Sequence, residues 1–430
     1  MKSLRITENR LDNLRNLQVA YWDVAFATAF GTLVTGSFLV GLIQHFDGSD
    51  LWIGLSTAVP SFMGLVQVPG AIWGRSFPFY KRFIAPGGWV WRLLYLPVAF
   101  LPFLPVANEV KLLALIGCIG VAAASVQVVN PIYNDWLAEL VPSTSRGWYF
   151  SRRTLIATVV GMAAGFTGAV VLDAFRARGM ADYGFSTVFG GGVVCGIVSM
   201  VFFLRMKETV RQNPVEVRFK ESLRSMARPW QDKNFRLILI FSGLFMASQT
   251  FAGNFFAAFA RESLNISFTL LQMTAVMSAI GTIALVRSWG YLADKYGNKP
   301  ILALTTIGTV LTPGVWLLCQ PGHDAANAAI LLTGHVYNGI VWSGVAVTQL
   351  NIYMSTAEPA ERASYLATAL TTTAICGGIA PLFGSLTMSL MRGPAGAEGA
   401  YKTLFWIVIG MRIVSVWVLA GVREEGAVSI

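Results

Sequence analysis

The residues able to do chemistry in this chain are few, and they stand isolated in long apolar runs. Asp23, in "AYWDVAF", is an acid among hydrophobic and aromatic neighbours. Such an acid either binds and releases a proton or pairs with a nearby arginine. His335 is the second ionisable candidate, because an imidazole changes charge near physiological pH, although a lone His often does no more than hydrogen-bond. The amides fall in helical register. Gln127, Asn130 and Asn134 share one face at i, i+3 and i+7, and His335, Asn338, Trp342 and Gln349 share another at i, i+3, i+7 and i+14. Gln249 and Asn254 lie in a further run, Gln67 in another, and Thr28, Thr32 and Thr35 make a hydroxyl stripe. Amides, hydroxyls and an indole suit a hydroxyl-rich or mixed-polarity solute. The same groups also join helices to one another, so both readings stand.

Bond-making chemistry finds little support. The three histidines are His45, His323 and His335, and the four cysteines (Cys118, Cys195, Cys319, Cys376) each sit alone in an apolar run. There is no metal-ligand spacing, glycine-rich phosphate loop or nucleophile elbow. The expectation is a protein that is not an enzyme and has no cofactor or metal. A channel would show a polar ring or filter segment, and none stands out.

The elements that hold these residues are set by composition. Of 430 residues, 55% are hydrophobic and 13% charged, against about 25% charged in soluble domains. The chain is therefore membrane-embedded and all-α. Twelve apolar runs are long enough to cross a bilayer, near 17–43, 51–73, 88–106, 110–134, 154–174, 186–205, 236–260, 268–289, 301–319, 325–353, 364–391 and 403–421. With the N-terminus inside, only Lys111, Arg176, Arg178, Arg261, Arg392 and Lys402 lie outside and Arg412 falls within the last run; the rest of the 32 Lys and Arg gather at the inner face. This positive-inside bias accounts for the net charge of +10 without any nucleic-acid partner. Both termini are then cytoplasmic, and Asp23 lies about six residues into its span, roughly 9 Å deep at 1.5 Å per residue. The opening 1–18, with Leu11, Leu14 and Leu17 on one stripe, reads as an amphipathic lead-in along the inner surface. The longest polar stretch, 206–235, divides the runs six and six. Within it Phe219, Leu223, Met226 and Trp230 share a helical face suited to the inner leaflet or to a docking partner.

The two halves repeat. A shift of 216 residues lays Trp73-Gly74 on Trp289-Gly290, Arg146 and Tyr149 on Arg362 and Tyr365, and Gly161 and Gly168 on Gly377 and Gly384. The repeated loop "WGYLADKYGNKP", Trp289–Pro300, falls between the eighth and ninth runs, and "WGRSFPFYKR" between the second and third. Gly290, Asp294, Lys295, Gly297 and Lys299 match the signature of the major facilitator superfamily in these loops, which the whole chain resembles. "AELVPSTSRG", with Glu139, Arg146 and Gly147, resembles the superfamily's loop after the fourth span, and "AEPAERA", with Glu358 and Arg362, is its shortened copy. The N-terminal copy keeps Gly74 and its basic cluster but has Pro78 at the position of Asp294.

The resemblance implies twelve transmembrane helices in two six-helix bundles, here 1–205 and 236–430, joined by a cytoplasmic linker at 206–235. It implies gating residues at Gly74, Glu139, Arg146, Gly290, Asp294, Lys295, Gly297, Lys299, Glu358 and Arg362, the charged ones pairing across the bundles or with helix ends and the glycines allowing sharp turns or close approach. Solute would bind near the midplane between the halves, with Gln127, Asn130, Gln249, Asn254, His335, Asn338 and Trp342 as the residues to contact it. Asp23 or His335 would couple a proton. The chain would then be a monomeric secondary carrier of a small solute in the cytoplasmic membrane, contacting membrane lipids. Two other readings are an efflux carrier for amphiphiles, favoured by the 12% aromatic content, and a non-transporting receptor or assembly factor on the same scaffold. Drug/proton antiporters of the superfamily usually carry an Arg in the fourth span and a Gly-Pro pair in the fifth. Melibiose-permease relatives carry acids in the second. This sequence has none of these. Lactose-permease-like symporters place a His near a Glu in the tenth span, where this chain has His335 and Asn338.

Overall fold

The structure, a computed structural model, describes residues 2–141, 146–208, 210–211, 226–357 and 361–424, leaving aside the side chains of 2–14 and of Ala363. Among the described residues the apolar runs are helical, and the extended pairing is one antiparallel bridge between Phe79 and Val210. Among the described residues, eleven segments are long and apolar enough to cross a membrane. Ten correspond to the first ten expected runs. The third begins at Tyr80 rather than near 88, because Lys81, which reads as a loop charge, is held against the carbonyls of Leu204 and Met206 at 2.5 and 2.8 Å.

The eleventh segment, Ser364–Ala420, contains both remaining runs in 57 residues. A straight helix of that length would reach roughly 85 Å at 1.5 Å per residue, far beyond a hydrocarbon core of about 30 Å. The backbone breaks at Gly396, with φ 69° and ψ 175°, a conformation open to glycine and costly for a residue with a Cβ. Side-chain partners show where the two arms run. The first arm opens with Tyr365, its ring 4.5 Å from that of Phe235, and closes with Arg392 on Glu262 at 2.6 Å. The second opens with Tyr401, also on Glu262 at 2.5 Å, and leads to Arg423, whose N–H donates to Asn234 at 2.7 Å. Both arms thus lie along Lys233–Glu262, in opposite directions.

The chain forms two compact units, Met1–Leu42 with Val66–Val217, and Ile43–Leu65 with Arg218–Ile430. The first is built around Tyr80, Trp136, Leu137, Met200 and Phe203, the second around Phe235, Phe241, Phe245, Leu302 and Ile352. Residues 43–65 belong to the second unit through particular contacts. Asn254 donates to Ser56 Oγ at 2.7 Å, Gln44 donates to the Ala258 carbonyl at 3.3 Å, and Arg392 grips Asp50 through Nε and Nη2 at 2.5 and 2.8 Å. Large apolar side chains such as Leu113, Ile283, Trp406 and Trp417 stand exposed, a surface suited to hydrocarbon rather than water.

The lead-in departs from expectation. Helix Lys2–Val34 is continuous, without the bend that a helix lying along the inner surface would need before entering a span. Of its leucine stripe, Leu17 is buried, and the side chains of Leu11 and Leu14 lie outside the described ones. Phe219 and Leu223 of the linker stripe also lie outside the described residues.

Candidate functional site

Asp23 is buried inside the first unit, 4% exposed, among partners from three other segments. Its Oδ2 accepts from the Tyr133 hydroxyl at 2.5 Å and its Oδ1 from the Ser199 hydroxyl at 2.6 Å. Arg92 Nη2 donates to Ser199 Oγ at 2.8 Å and lies 3.8 Å from Asp23 Oδ1, while Nη1 donates to the Gly88 carbonyl at 3.0 Å. Ser199 therefore stands between acid and base. Burying an ion pair is expensive unless both partners are hydrogen-bonded, and every oxygen of this carboxylate is. Beside the cluster is a cavity of about 230 Å³, lined by Asp23, Arg92, Asn130, Tyr133 and Arg153 with Trp91 and Phe203. The guanidinium of Arg153 stands 5.6 Å from the Tyr133 ring centroid, and the buried Nε atoms of Arg92 and Arg153 have no hydrogen-bond partner.

The sequence points to Asp23 and Asn130 but misses Arg92, Tyr133, Ser199 and Arg153. Arg92 reads as a residue long enough to snorkel to the surface; instead it is 5% exposed and turned inward. Tyr133 follows Asn130 by three residues on the same helix, and that spacing is the signal that would have found it. The Thr28–Thr32 stripe faces elsewhere, against Gly161, whose missing Cβ would sit 3.2 Å from Thr28 Cγ2.

The other solute candidates do not join this cavity. Asn134 is exposed, its amide donating to that of the lining residue Asn130 at 3.4 Å, and Gln127 is half-buried. In the second unit Asn254 is committed to Ser56, and Asn338 accepts from Thr312 at 2.9 Å. His335 donates from Nδ1 to the Leu331 carbonyl at 2.8 Å and stands edge-on to Trp316. Trp342 packs against Phe245 at 5.5 Å with the guanidinium of Arg412 5.7 Å from its ring. Gln349 begins a buried chain, donating to the Tyr353 hydroxyl at 3.0 Å, which donates to Ser242 at 2.8 Å. Gln249 is half-buried.

The signature loops are tied down within each unit by a repeated device. Asn16 exchanges two hydrogen bonds with the backbone of Lys207, at 2.7 and 3.1 Å, and Asn234 exchanges two with that of Arg423, at 2.7 and 2.8 Å. The next residues, Glu208 and Glu424, cap the starts of helices Tyr80–Leu93 and Asn298–Gly308, accepting from Lys81 N at 2.9 Å and from Lys299 N at 2.7 Å. The ammonium groups of those same lysines close the preceding helices, on the carbonyls of Leu204 and Ala420. Leu204, Lys207 and Glu208 match Ala420, Arg423 and Glu424 at the repeat offset of 216. A carboxylate at a helix N-terminus and a cation at a C-terminus both oppose the end charges of the helix dipole.

The individual signature residues divide. Gly74 is required by packing: a Cβ there would meet Ile132 Cγ1 at 2.3 Å. Its counterpart Gly290 has nothing within 4 Å of that position. Gly297, at φ 93°, separates the eighth segment from the ninth. Asp294 is exposed and makes no ion pair among the described residues, Lys295 lies 5.0 Å from the Tyr296 ring, and Arg362 is exposed. Arg146 donates to the carbonyls of Ala138 and Val141 at 3.1 and 3.4 Å, closing the end of the fourth segment. Glu139, exposed on that segment, faces the Tyr80 hydroxyl. Glu358 lies outside the described residues. Beside the loop that has Pro78 in place of an acid, Asp135 stands 3.7 Å from Arg75 and 3.9 Å from Arg211.

Comparison with known proteins agrees with this architecture. No curated protein matches the sequence. Among solved structures, a D-xylose-proton symporter is 13% identical, with 97% of this chain and 99% of that chain covered at a TM-score of 0.68. The nucleoside transporter NupG is 15% identical over 95% and 98% at 0.64. A bacterial homolog of the human lysosomal transporter Spinster, inward-facing and unoccupied, is 15% identical over 97% and 99% at 0.63. The family model of the Major Facilitator Superfamily matches residues 24–381 and 238–426. With helical segments, loop signatures and family match in agreement, this multi-pass membrane chain belongs to the major facilitator superfamily.

Proposed function

We propose that the chain is a secondary active transporter that moves a small organic solute across the cytoplasmic membrane by alternating access, with Asp23 as its proton-coupling group. The observation that carries this reading is the buried Asp23–Arg92 cluster opening on a cavity. Ionisable groups inside a membrane segment are expensive and mark ion or substrate pathways, and this pair has groups on the cavity wall with which to exchange partners. The two halves of the repeat, 1–205 and 236–430, are the bodies that alternate about the linker 206–235, with residues 43–65 packed in the second unit here. The reversal at Gly396 supports a twelfth crossing; an even number of spans puts both termini on one side, and the positive-inside bias makes that side the cytoplasm. The solved relatives named above transport a sugar with protons and nucleosides, a range that supports a small organic solute here. The latches at Glu208 and Glu424 hold each half's inner end as one body while the exposed Asp294 and Arg362 are left for contacts made at another stage of the cycle.

A thermal-unfolding screen of the detergent-purified protein tests the reading, using sugars, nucleosides, amino acids, organic acids and lipophilic cations. A solute that binds only the folded state stabilises it by about 2.7 kcal/mol at a hundredfold excess over its dissociation constant. The expected result is stabilisation by one polar class, members of which proteoliposomes then accumulate. Stabilisation by diverse lipophilic compounds would instead make the protein an exporter of amphiphiles. Binding without movement of any stabilising compound would make it a receptor.

A further inference from the structure

The cavity beside Asp23 carries an excess of positive charge. Its charged lining is one acid, Asp23, and two bases, Arg92 and Arg153. Asp23 answers Arg92, through Ser199 and at 3.8 Å directly. Arg153 has no acid partner among the described residues; it rests over the Tyr133 ring. A half-buried guanidinium with no acid beside it is costly to desolvate, and the face of a phenol offsets only part of that cost. Both arginines also keep a buried Nε without a hydrogen-bond partner, although buried donors in native proteins are nearly always satisfied. Both arginines line the same cavity.

We infer that this cavity is a subsite for the anionic group of an organic solute, a carboxylate whose oxygens pair with Arg153 and reach Arg92. The guanidinium presents donors in a planar fork that matches a carboxylate, and one such anion brings the lining to neutrality. The volume of about 230 Å³ falls below the roughly 300–1,000 Å³ of pockets for drug-sized ligands, so the solute is a small acid. The exposed amide of Asn130, also on the lining, offers a hydrogen bond to the uncharged part. The inference rests on the transport reading and narrows it to organic anions.

The test measures binding to the purified full chain at constant pH and ionic strength. Butanoate and pyruvate are compared with their uncharged amides, butanamide and pyruvamide, and with chloride. The acids should stabilise the protein against unfolding while the amides and chloride do not. Arg153→Gln should weaken acid binding about tenfold or more, the scale of a lost charged hydrogen bond, and Arg153→Lys should restore part of it. Asn130→Asp, at an exposed position, places a second negative charge on the cavity wall and should weaken the acids by a similar factor. It serves if Arg153→Gln fails to fold. Equal stabilisation by acids and amides, equal stabilisation by chloride, or acid binding untouched by these variants would overturn the anion subsite. If sugars or nucleosides bind and are accumulated instead, the subsite fails and the transport reading survives. If acids bind through Arg153 but no solute crosses a proteoliposome membrane, the subsite stands and the transport reading fails.

Discussion

At Gly74 an added methyl would lie 2.3 Å from Ile132 Cγ1 and 2.8 Å from Phe83 Cε1, whereas at Gly290 it would meet nothing within 4 Å. Gly74→Ala should therefore destabilise the protein by about 1–3 kcal/mol, the usual cost of overpacking. Gly290→Ala, inside helix Phe268–Tyr296, should leave stability unchanged or raise it by up to about 1 kcal/mol, the helix preference for Ala over Gly. Thermal unfolding of both variants checks this. A stable Gly290→Ala that transports poorly would show that Gly290 acts in another stage of the cycle; two equally destabilised variants would contradict the packing argument. The same contrast explains what the sequence conveys about the site. An acid alone in an apolar run is conspicuous, so Asp23 and the matched loop residues are legible. Arg92, Tyr133, Ser199 and Arg153 come from segments distant in sequence, and only the folded first unit brings the first three to one carboxylate and Arg153 to the cavity beside it. The amides mislead for the opposite reason. Asn338 stands in helical register with His335 and Trp342, and Asn254 is a polar group in an apolar run, yet Thr312 and Ser56 already occupy them.

Between helices, the repeated latch gives a graded prediction. Asn16 is 1% exposed and Asn234 half-buried, although both make the same two backbone bonds. Removing a partner from buried backbone groups costs about 1–3 kcal/mol each, whereas groups near water recover most of the loss. Asn16→Ala should lower stability more than Asn234→Ala, and chemical unfolding of the two variants measures the order; equal losses would contradict it. Helix existence and sequence-level symmetry are legible because hydrophobic length is a strong signal over 20 residues. The details at the ends are not. Lys81 and Arg82 look like loop charges, and only the carbonyls left open at Leu204 and Met206 explain why the third segment starts at Tyr80. Likewise nothing in the runs at 364–391 and 403–421 announces that the two helices extend into the polar 392–402 and meet at the break at Gly396.

For the whole molecule, the proposed transport cycle rests on a buried acid–base pair, a small cationic cavity and two latched halves. In that cycle Asp23 couples solute movement to protons, and proteoliposomes test this by separating uphill accumulation from exchange. Using a solute that stabilises the protein, wild type and Asp23→Asn are compared for accumulation driven by an inward proton gradient and for counterflow with no gradient. Retained thermal stabilisation by the solute confirms that the variant is folded and binds. Asp23→Asn should abolish gradient-driven accumulation and keep counterflow. Accumulation at the wild-type level in the variant would place coupling elsewhere and contradict the claim.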